Sequence, residues 1–283
     1  MNDYLLGLYE KATPLEISWE ERFTAAKKAG FDFLEISIDE SNERLSRLEW
    51  TQKERDDVLL RSKKIGLPIR TICLSGHRKY PLGSTDVKIQ EKSLEIMSKA
   101  VDLACDLGVR IIQLAGYDVY YQESTSETKE IFTKNLQKAV LIAAKKGVLL
   151  GLETMENDFI NTVEKAMYFV NKIDSPYLNI YPDTGNIQNA VDCLPKDVLQ
   201  GKGKIIAAHL KETVEGVFRD MMFGDGRVDF IEAISTYRSI GVRIFLAEFW
   251  YKGEEDWEAR LKYANDFFRD KFDKVITIEG AHI

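Results

Sequence analysis

Residues Lys204–Glu212 read KIIAAHLKE. The run is apolar from Ile205 to Ala208 and then ends on His209, one of three histidines in the chain. A short, wholly apolar run suits a strand buried on both faces, and a polar, metal-competent residue at its end marks where the strand opens into a site. Three other apolar runs deliver a carboxylate at the same place. VLLGLE ends on Glu153, LNIYPD turns into Asp183, and RIFLAE ends on Glu248. From 153 to 183 is 30 residues, from 183 to 209 is 26, and from 209 to 248 is 39. Each step is close to one strand-plus-helix unit, so residues distant in sequence are expected side by side in space.

The same unit recurs along the chain. Helical segments end in a glycine followed at once by an apolar run, at Gly30 (KKAG), Gly66 (KKIG), Gly108 (CDLG), Gly147 (AKKG) and Gly241 (RSIG). Glycine takes the left-handed conformation just past a helix end, and the preceding Lys and Arg suit the helix C-terminal dipole. LLGLY near the N-terminus, LNIYP and KIIAAHL bring the apolar runs to eight. Between them, SWEERFTAAKKAG starts with a capping-box pair, Ser18 and Glu21, and stripes such as Leu94, Met97, Val101 and Cys105 repeat at helical spacing. Eight strand-helix units predict a (β/α)8 TIM barrel, one domain over residues 1–283, with its active site at the C-terminal mouth of the strands. Residues 272–283 read as a polar C-terminal tail, in which His282 has no assigned role.

At 45% hydrophobic and 30% charged, the 283 residues are ordinary for a soluble globule. No apolar run reaches the roughly 18 to 20 residues of a membrane span, and MNDYLLGLYEKA lacks the marks of a signal peptide. A cytoplasmic protein without a membrane partner is expected. Cys73, Cys105 and Cys193 are odd in number and widely spaced, which suits reduced thiols. The net charge of −7 is spread over mixed Lys/Glu helix faces and offers no footprint for nucleic acid. Neither a GxGxxG nor a GxxxxGK[ST] loop occurs.

Glu153, Asp183, His209 and Glu248 thus converge on one mouth. Taken singly, each carboxylate fits a helix cap or a loop ion pair, and His209 a satisfied core residue. Together they bring a formal −3 into a low-dielectric mouth, which a divalent cation resolves. Mixed O/N ligation suits one Zn²⁺, Mn²⁺ or Co²⁺.

The segments CLSGHRKYPLG, LAGYDVYY, YPDTGN, AHLKET, FRDMMFGDGRVDF and FLAEFW, beginning at Cys73, Leu114, Tyr181, Ala208, Phe218 and Phe245, resemble the L-ribulose-5-phosphate (L-xylulose-5-phosphate) 3-epimerase family of xylose-isomerase-like barrels. The resemblance runs through nearly the whole chain, to about Lys271. It implies that Glu153, Asp183, His209 and Glu248 hold the metal, that Glu153 and Glu248 also shuttle the proton, that the protein is a homodimer, and that it serves pentose-phosphate metabolism such as L-ascorbate utilisation. The chemistry asks for the same parts. Inverting C3 of a ketose removes a proton α to the C2 carbonyl and returns one to the other face, through an enediolate that a metal stabilises and two carboxylates serve as base and acid.

The resemblance implies that Arg219 steadies a substrate oxygen; a surface salt bridge is its other reading. Glu156 is a candidate acceptor for a substrate hydroxyl, or a solvated acid. Asn186 follows Asp183 where non-phosphorylated ketose epimerases tend to carry histidine, a departure at a position of substrate contact. A sugar phosphate needs cationic or N–H partners beside these carboxylates, for which His77, Arg78 and Lys211 are candidates. The loop aromatics Tyr117, Tyr120, Tyr121, Trp250, Tyr251 and Trp257 read as exposed, lining the mouth or an interface. Alternatives are a hexulose-6-phosphate or other sugar-phosphate isomerase on the same barrel, a metal-dependent phosphodiesterase or endonuclease, disfavoured by the scarcity of histidine, and a non-catalytic sugar-phosphate sensor, disfavoured by the complete acid/base pair.

Overall fold

Strands and helices alternate along the chain in the computed structural model, which describes residues 3–281. His282 lies outside them. The strands are β1 (Leu5–Tyr9), β2 (Phe33–Ile38), β3 (Ile69–Leu74), β4 (Ile111–Ala115), β5 (Leu149–Glu153), β6 (Leu178–Ile180), β7 (Ala208–Leu210) and β8 (Ile244–Ala247). The helices are α1 (Trp19–Ala29), α2 (Asn42–Leu45), α3 (Gln52–Ile65), α4 (Val87–Asp106), α5 (Ser126–Ala144), α6 (Val163–Ile173), α7 (Thr184–Ala190), α8 (Leu194–Leu199), α9 (Phe230–Ser239) and α10 (Trp257–Gly280).

Local chemistry sets the unit boundaries. Ser18 and Glu21 form the reciprocal cap of α1, and Thr51 with Glu54 repeats it on α3. Gly30 closes α1 at φ 100° and Gly66 closes α3 at φ 74°, conformations a Cβ would strain, and each turn feeds the next strand.

All strand pairs are parallel, in the order β6-β5-β4-β3-β2-β1-β8-β7. The ring closes between β6 and β7 by single bridges, Ile180 to Ile205 and Asp183 to His209, with His209 N–H donating to the Pro182 carbonyl at 2.9 Å. The seventh strand is shorter than its apolar run. It starts at Ala208, so His209 is its central residue rather than its end.

Alternation along each strand sorts side chains between two cores. On β2, Leu34, Ile36 and Ile38 join the large cluster under the helices, whereas Phe33 belongs to a small inner cluster with Tyr9, Cys73 and Leu246. The stripes on α1, α4 and α9 are buried through Phe23, Met97, Val101, Ile234 and Tyr237. The region expected as a polar tail from Phe272 is the continuation of α10, in which Phe272 and Val275 are buried. Phe272 stacks on Tyr4 with ring centroids 3.8 Å apart, a burial that contributes about 1.5–3 kcal/mol. The periodic residues Phe268, Phe272 and Val275 carry the helix past the polar residues between them. Among the described residues, no helix is long and apolar enough to cross a membrane.

Candidate metal centre and active site

Glu153 is the last residue of β5, Asp183 caps the N-terminus of α7, His209 lies in β7, and Glu248 follows β8 directly. All four are buried, and each offers a ligand atom within 4.8 Å of the others. Their scaffolding is local. The Asp183 backbone N–H donates to Thr154 Oγ1 (2.9 Å), and Asp183 Oδ1 accepts from the Asn186 N–H at 2.6 Å as an N-cap. Gln113 Nε2 donates to Glu153 Oε2, and Thr184 Oγ1 donates to the His209 carbonyl at 2.7 Å.

His209 is engaged on both ring nitrogens. Nδ1 lies 2.9 Å from Glu153 Oε1 and 3.1 Å from Glu248 Oε2, while Nε2 lies 2.9 Å from Glu35 Oε1. The contact with Glu153 has hydrogen-bond geometry; Glu248 Oε2, although close, has no hydrogen-bond partner, and neither has Asp183 Oδ2. Two buried carboxylate oxygens without donors, beside an imidazole nitrogen, are the donor set a divalent ion needs.

The charge balance points the same way. Burial pushes Glu153 up, and it pushes Asp183 well up despite the nearby Lys211. Burial would also raise Glu248, but His209 and Lys211 outweigh it and hold this carboxyl low. His209 is driven down by burial yet ends well above its ordinary value because Glu248 and Glu35 face it. Four buried acids, Glu35, Glu153, Asp183 and Glu248, thus confront two cations, His209 and Lys211. A dication in place of the Nδ1 proton relieves the imbalance, so the residues present fit a metal.

Around this cluster a cavity is lined by Lys211, Asn186, Arg78, Glu156 and Arg219 from the expected set. Lys211 is buried and donates to Asn186 Oδ1 (2.7 Å), with Asp183 Oδ1 at 3.2 Å. Asn186 Nδ2 donates to the Thr154 carbonyl at 2.8 Å. Arg78 stacks over Tyr120, 4.5 Å from its ring centre, with Glu40 at 3.7 Å. Glu156 accepts from the Tyr120 hydroxyl at 2.9 Å and from Arg219 at 3.4 Å, so Arg219 makes a partly exposed salt bridge on the cavity wall. The Arg219 loop is tied down by Glu212, whose carboxylate accepts from the backbone N–H groups of Thr213 (3.0 Å), Gly224 (2.9 Å) and Val228 (3.1 Å).

His77 does not belong to the cavity. It is 2% exposed and packs under α4, with Nε2 bonded to the Ser93 carbonyl at 3.0 Å. The short 3-10 turn Gly76–Arg78 sends consecutive side chains in different directions, Arg78 to the cavity and His77 inward. Tyr117, expected exposed, is also buried; Trp250 is partly buried at the cavity, Tyr120 is partly buried against Arg78, and Tyr121 is exposed.

Several site residues escaped sequence reading. Glu35 and Gln113 sit inside the barrel wall, each the one strongly polar side chain in an apolar strand, FLEISI and IIQLA, and that isolation was the available signal. Tyr9, Cys73, Trp250 and Lys11 also line the cavity; Lys11 pairs with Asp39 at 2.6 Å.

A closed parallel barrel with a mixed carboxylate–imidazole cluster at its C-terminal mouth defines an enzyme class rather than a binding module. Residues 23–271 match the family model described as a xylose isomerase-like TIM barrel. Within that fold the chain belongs to the L-ribulose-5-phosphate 3-epimerase family and is an isomerase-class enzyme. It is 40% identical over 277 residues to L-ribulose-5-phosphate 3-epimerase UlaE of Shigella sonnei (strain Ss046), and 39% identical to the UlaE of Escherichia coli (strain SMS-3-5 / SECEC), each match covering 98% of both chains. Among solved structures it is similar to an L-ribulose 3-epimerase (TM-score 0.80, 19% identity, 98% of this chain and 97% of that one). It is also similar to a D-allulose 3-epimerase from Methylomonas sp. (TM-score 0.78, 19% identity, 95% and 97%).

Proposed function

We propose that this protein is a divalent-metal-dependent 3-epimerase that interconverts L-xylulose 5-phosphate and L-ribulose 5-phosphate by proton transfer at C3. The observation that carries the reading is the convergence of Glu153, Asp183, His209 and Glu248 within 4.8 Å, with two carboxylate oxygens left without donors. These four residues would hold one Zn²⁺, Mn²⁺ or Co²⁺. When bound, such an ion supplies Lewis-acid stabilisation of negative charge at the reacting centre.

The chain's own groups do the rest. Glu153 and Glu248 come from β5 and β8, on either side of the strands that bring Asp183 and His209, so the substrate carbon is approached by a carboxylate from two sides. One takes the C3 proton and the other returns it, with the roles exchanged in the reverse direction. Lys211, wedged against Asp183 and Asn186, offers its charge to a substrate oxygen. Arg78 and Arg219 supply the positive wall a phosphate needs, and Glu156 accepts from a hydroxyl. The same reading includes a cytoplasmic homodimer; a monomeric mass by light scattering removes the dimer.

The test is incubation of zinc- or manganese-loaded protein with L-ribulose 5-phosphate in D₂O. Deuterium at C3 and formation of L-xylulose 5-phosphate are expected, and both should vanish in excess chelator. A product whose carbonyl has moved identifies an aldose–ketose isomerase instead, and no exchange at all removes the reading.

A further inference from the structure

We propose that Glu35 is a positioning residue for His209: it takes the Nε2 proton in a hydrogen bond and thereby leaves Nδ1 as the nitrogen offered to the metal. The inference rests on the metal-centre reading above.

Glu35 lies in β2, 174 residues before His209, and is fully buried. It does not border the cavity, so it is neither a substrate contact nor a base for the reaction. Both of its oxygens are spoken for. Oε1 lies 2.9 Å from His209 Nε2, and Oε2 accepts from the Tyr181 hydroxyl at 3.2 Å. The Tyr181 ring stands edge-on to the imidazole, 4.7 Å between centroids, and fixes its plane. Gly151 on the neighbouring strand makes room for this, since a Cβ there would fall 2.7 Å from Tyr181 Cβ. Gly151, Tyr181, Glu35 and His209 are therefore one packed chain inside the barrel.

A carboxylate in that place is costly if it only fills space. Burying an acid costs several kcal/mol that a leucine would not. What an acid does there and a leucine does not is hold a proton on one particular imidazole nitrogen. Imidazole has two nitrogens, and the hydrogen bond made by one decides which is free to bind a metal. Glu153 Oε1 and Glu248 Oε2 both lie beside Nδ1, on the far side of the ring from Glu35. The ring is thus presented in the one orientation that completes the ligand set.

Wild type, Glu35→Gln and Glu35→Leu would be compared for Zn²⁺ affinity by competition with a chromophoric chelator, and for thermal unfolding in excess chelator. Outer-shell partners of metal histidines typically contribute 10–100-fold in affinity. Glu35→Gln keeps an acceptor for Nε2–H but not the charge, so a loss of about 10-fold is expected, and about 100-fold for Glu35→Leu. A metal-free unfolding temperature in Glu35→Gln at or above wild type, together with weakened zinc binding, separates positioning from a merely structural role. Wild-type zinc affinity in Glu35→Gln overturns the inference, and because that variant is isosteric it decides the matter even if Glu35→Leu does not fold. Absence of zinc binding by the wild type itself removes the metal-centre reading, and the role of Glu35 with it.

Discussion

Lys211 Nζ lies 3.2 Å from Asp183 Oδ1, and both side chains are buried, Lys211 lining the cavity. Breaking a buried pair from one side strands the other charge, at a cost of about 3–5 kcal/mol. Lys211→Met is therefore expected to be destabilised by that order in chelator. Zn²⁺ or Mn²⁺ should recover part of the loss, because a bound cation faces the same carboxylate. Denaturant melts with and without metal check this; equal destabilisation in both would show that Asp183 does not face a metal.

Glu153→Gln and Glu248→Gln test the acid/base assignment. Each replaces a carboxylate by an amide of the same shape, and general acid–base catalysis is worth about 10²- to 10⁴-fold. Turnover is expected to fall by at least about 100-fold in each variant, while each still exchanges the C3 proton of the one epimer that faces its remaining carboxylate. A variant that retains epimerisation, or that exchanges C3 of both epimers, loses its assigned role.

His77 gives a pH dependence unconnected with catalysis. Burial lowers it to about 4, while the unfolded residue keeps its ordinary value of 6.5. As pH falls, the unfolded chain takes up this proton first. Stability is full above about pH 6.5 and is lost progressively down to about pH 4, by roughly 3 kcal/mol from this group alone. His77→Leu should flatten that slope in denaturant melts between pH 4 and 7, whereas an unchanged slope would show that His77 is not held neutral in the fold.

Glu212 ties both ends of the segment that carries Arg219, and Gly226 lets it, because a Cβ at Gly226 would overlap the Glu212 carboxylate. Gly226→Ala should loosen the loop, at a stability cost of about 1–3 kcal/mol. KM for the sugar phosphate is expected to rise by about 10-fold with a smaller change in kcat, since a binding residue and not the proton-transfer pair is displaced. Steady-state kinetics with limited proteolysis at residues 213–226 would check this, and unchanged KM in a proteolytically loosened loop would count against Arg219 as a substrate contact.

Much of this molecule is legible from its chain alone. Helix, glycine turn and apolar run recur often enough to number eight strands, and the rule that strand ends share one mouth brings Glu153, Asp183, His209 and Glu248 together without coordinates. Both signals are local: a capping box, a left-handed glycine and an apolar run that ends in a polar residue are written within a few positions. The end of α10 is not legible in the sequence for the opposite reason. Its apolar residues are thinly spaced among charges, and only packing against Tyr4 and Phe245 makes Phe272 a core residue.

What tertiary structure alone decided is how side chains meet across the closed ring. Glu35 and His209 stand 174 residues apart and touch only because β2 and β7 face one barrel interior. His77 and Arg78 are adjacent in sequence, yet one is core and the other borders the cavity, a difference of side-chain direction within a single turn. Lys211 reads as one more charge after a strand until Asp183 and Asn186 are seen to surround it. Sequence spacing says which residues reach the mouth. Which partner each finds there depends on the curvature and register of the closed sheet, to which eight strands contribute together.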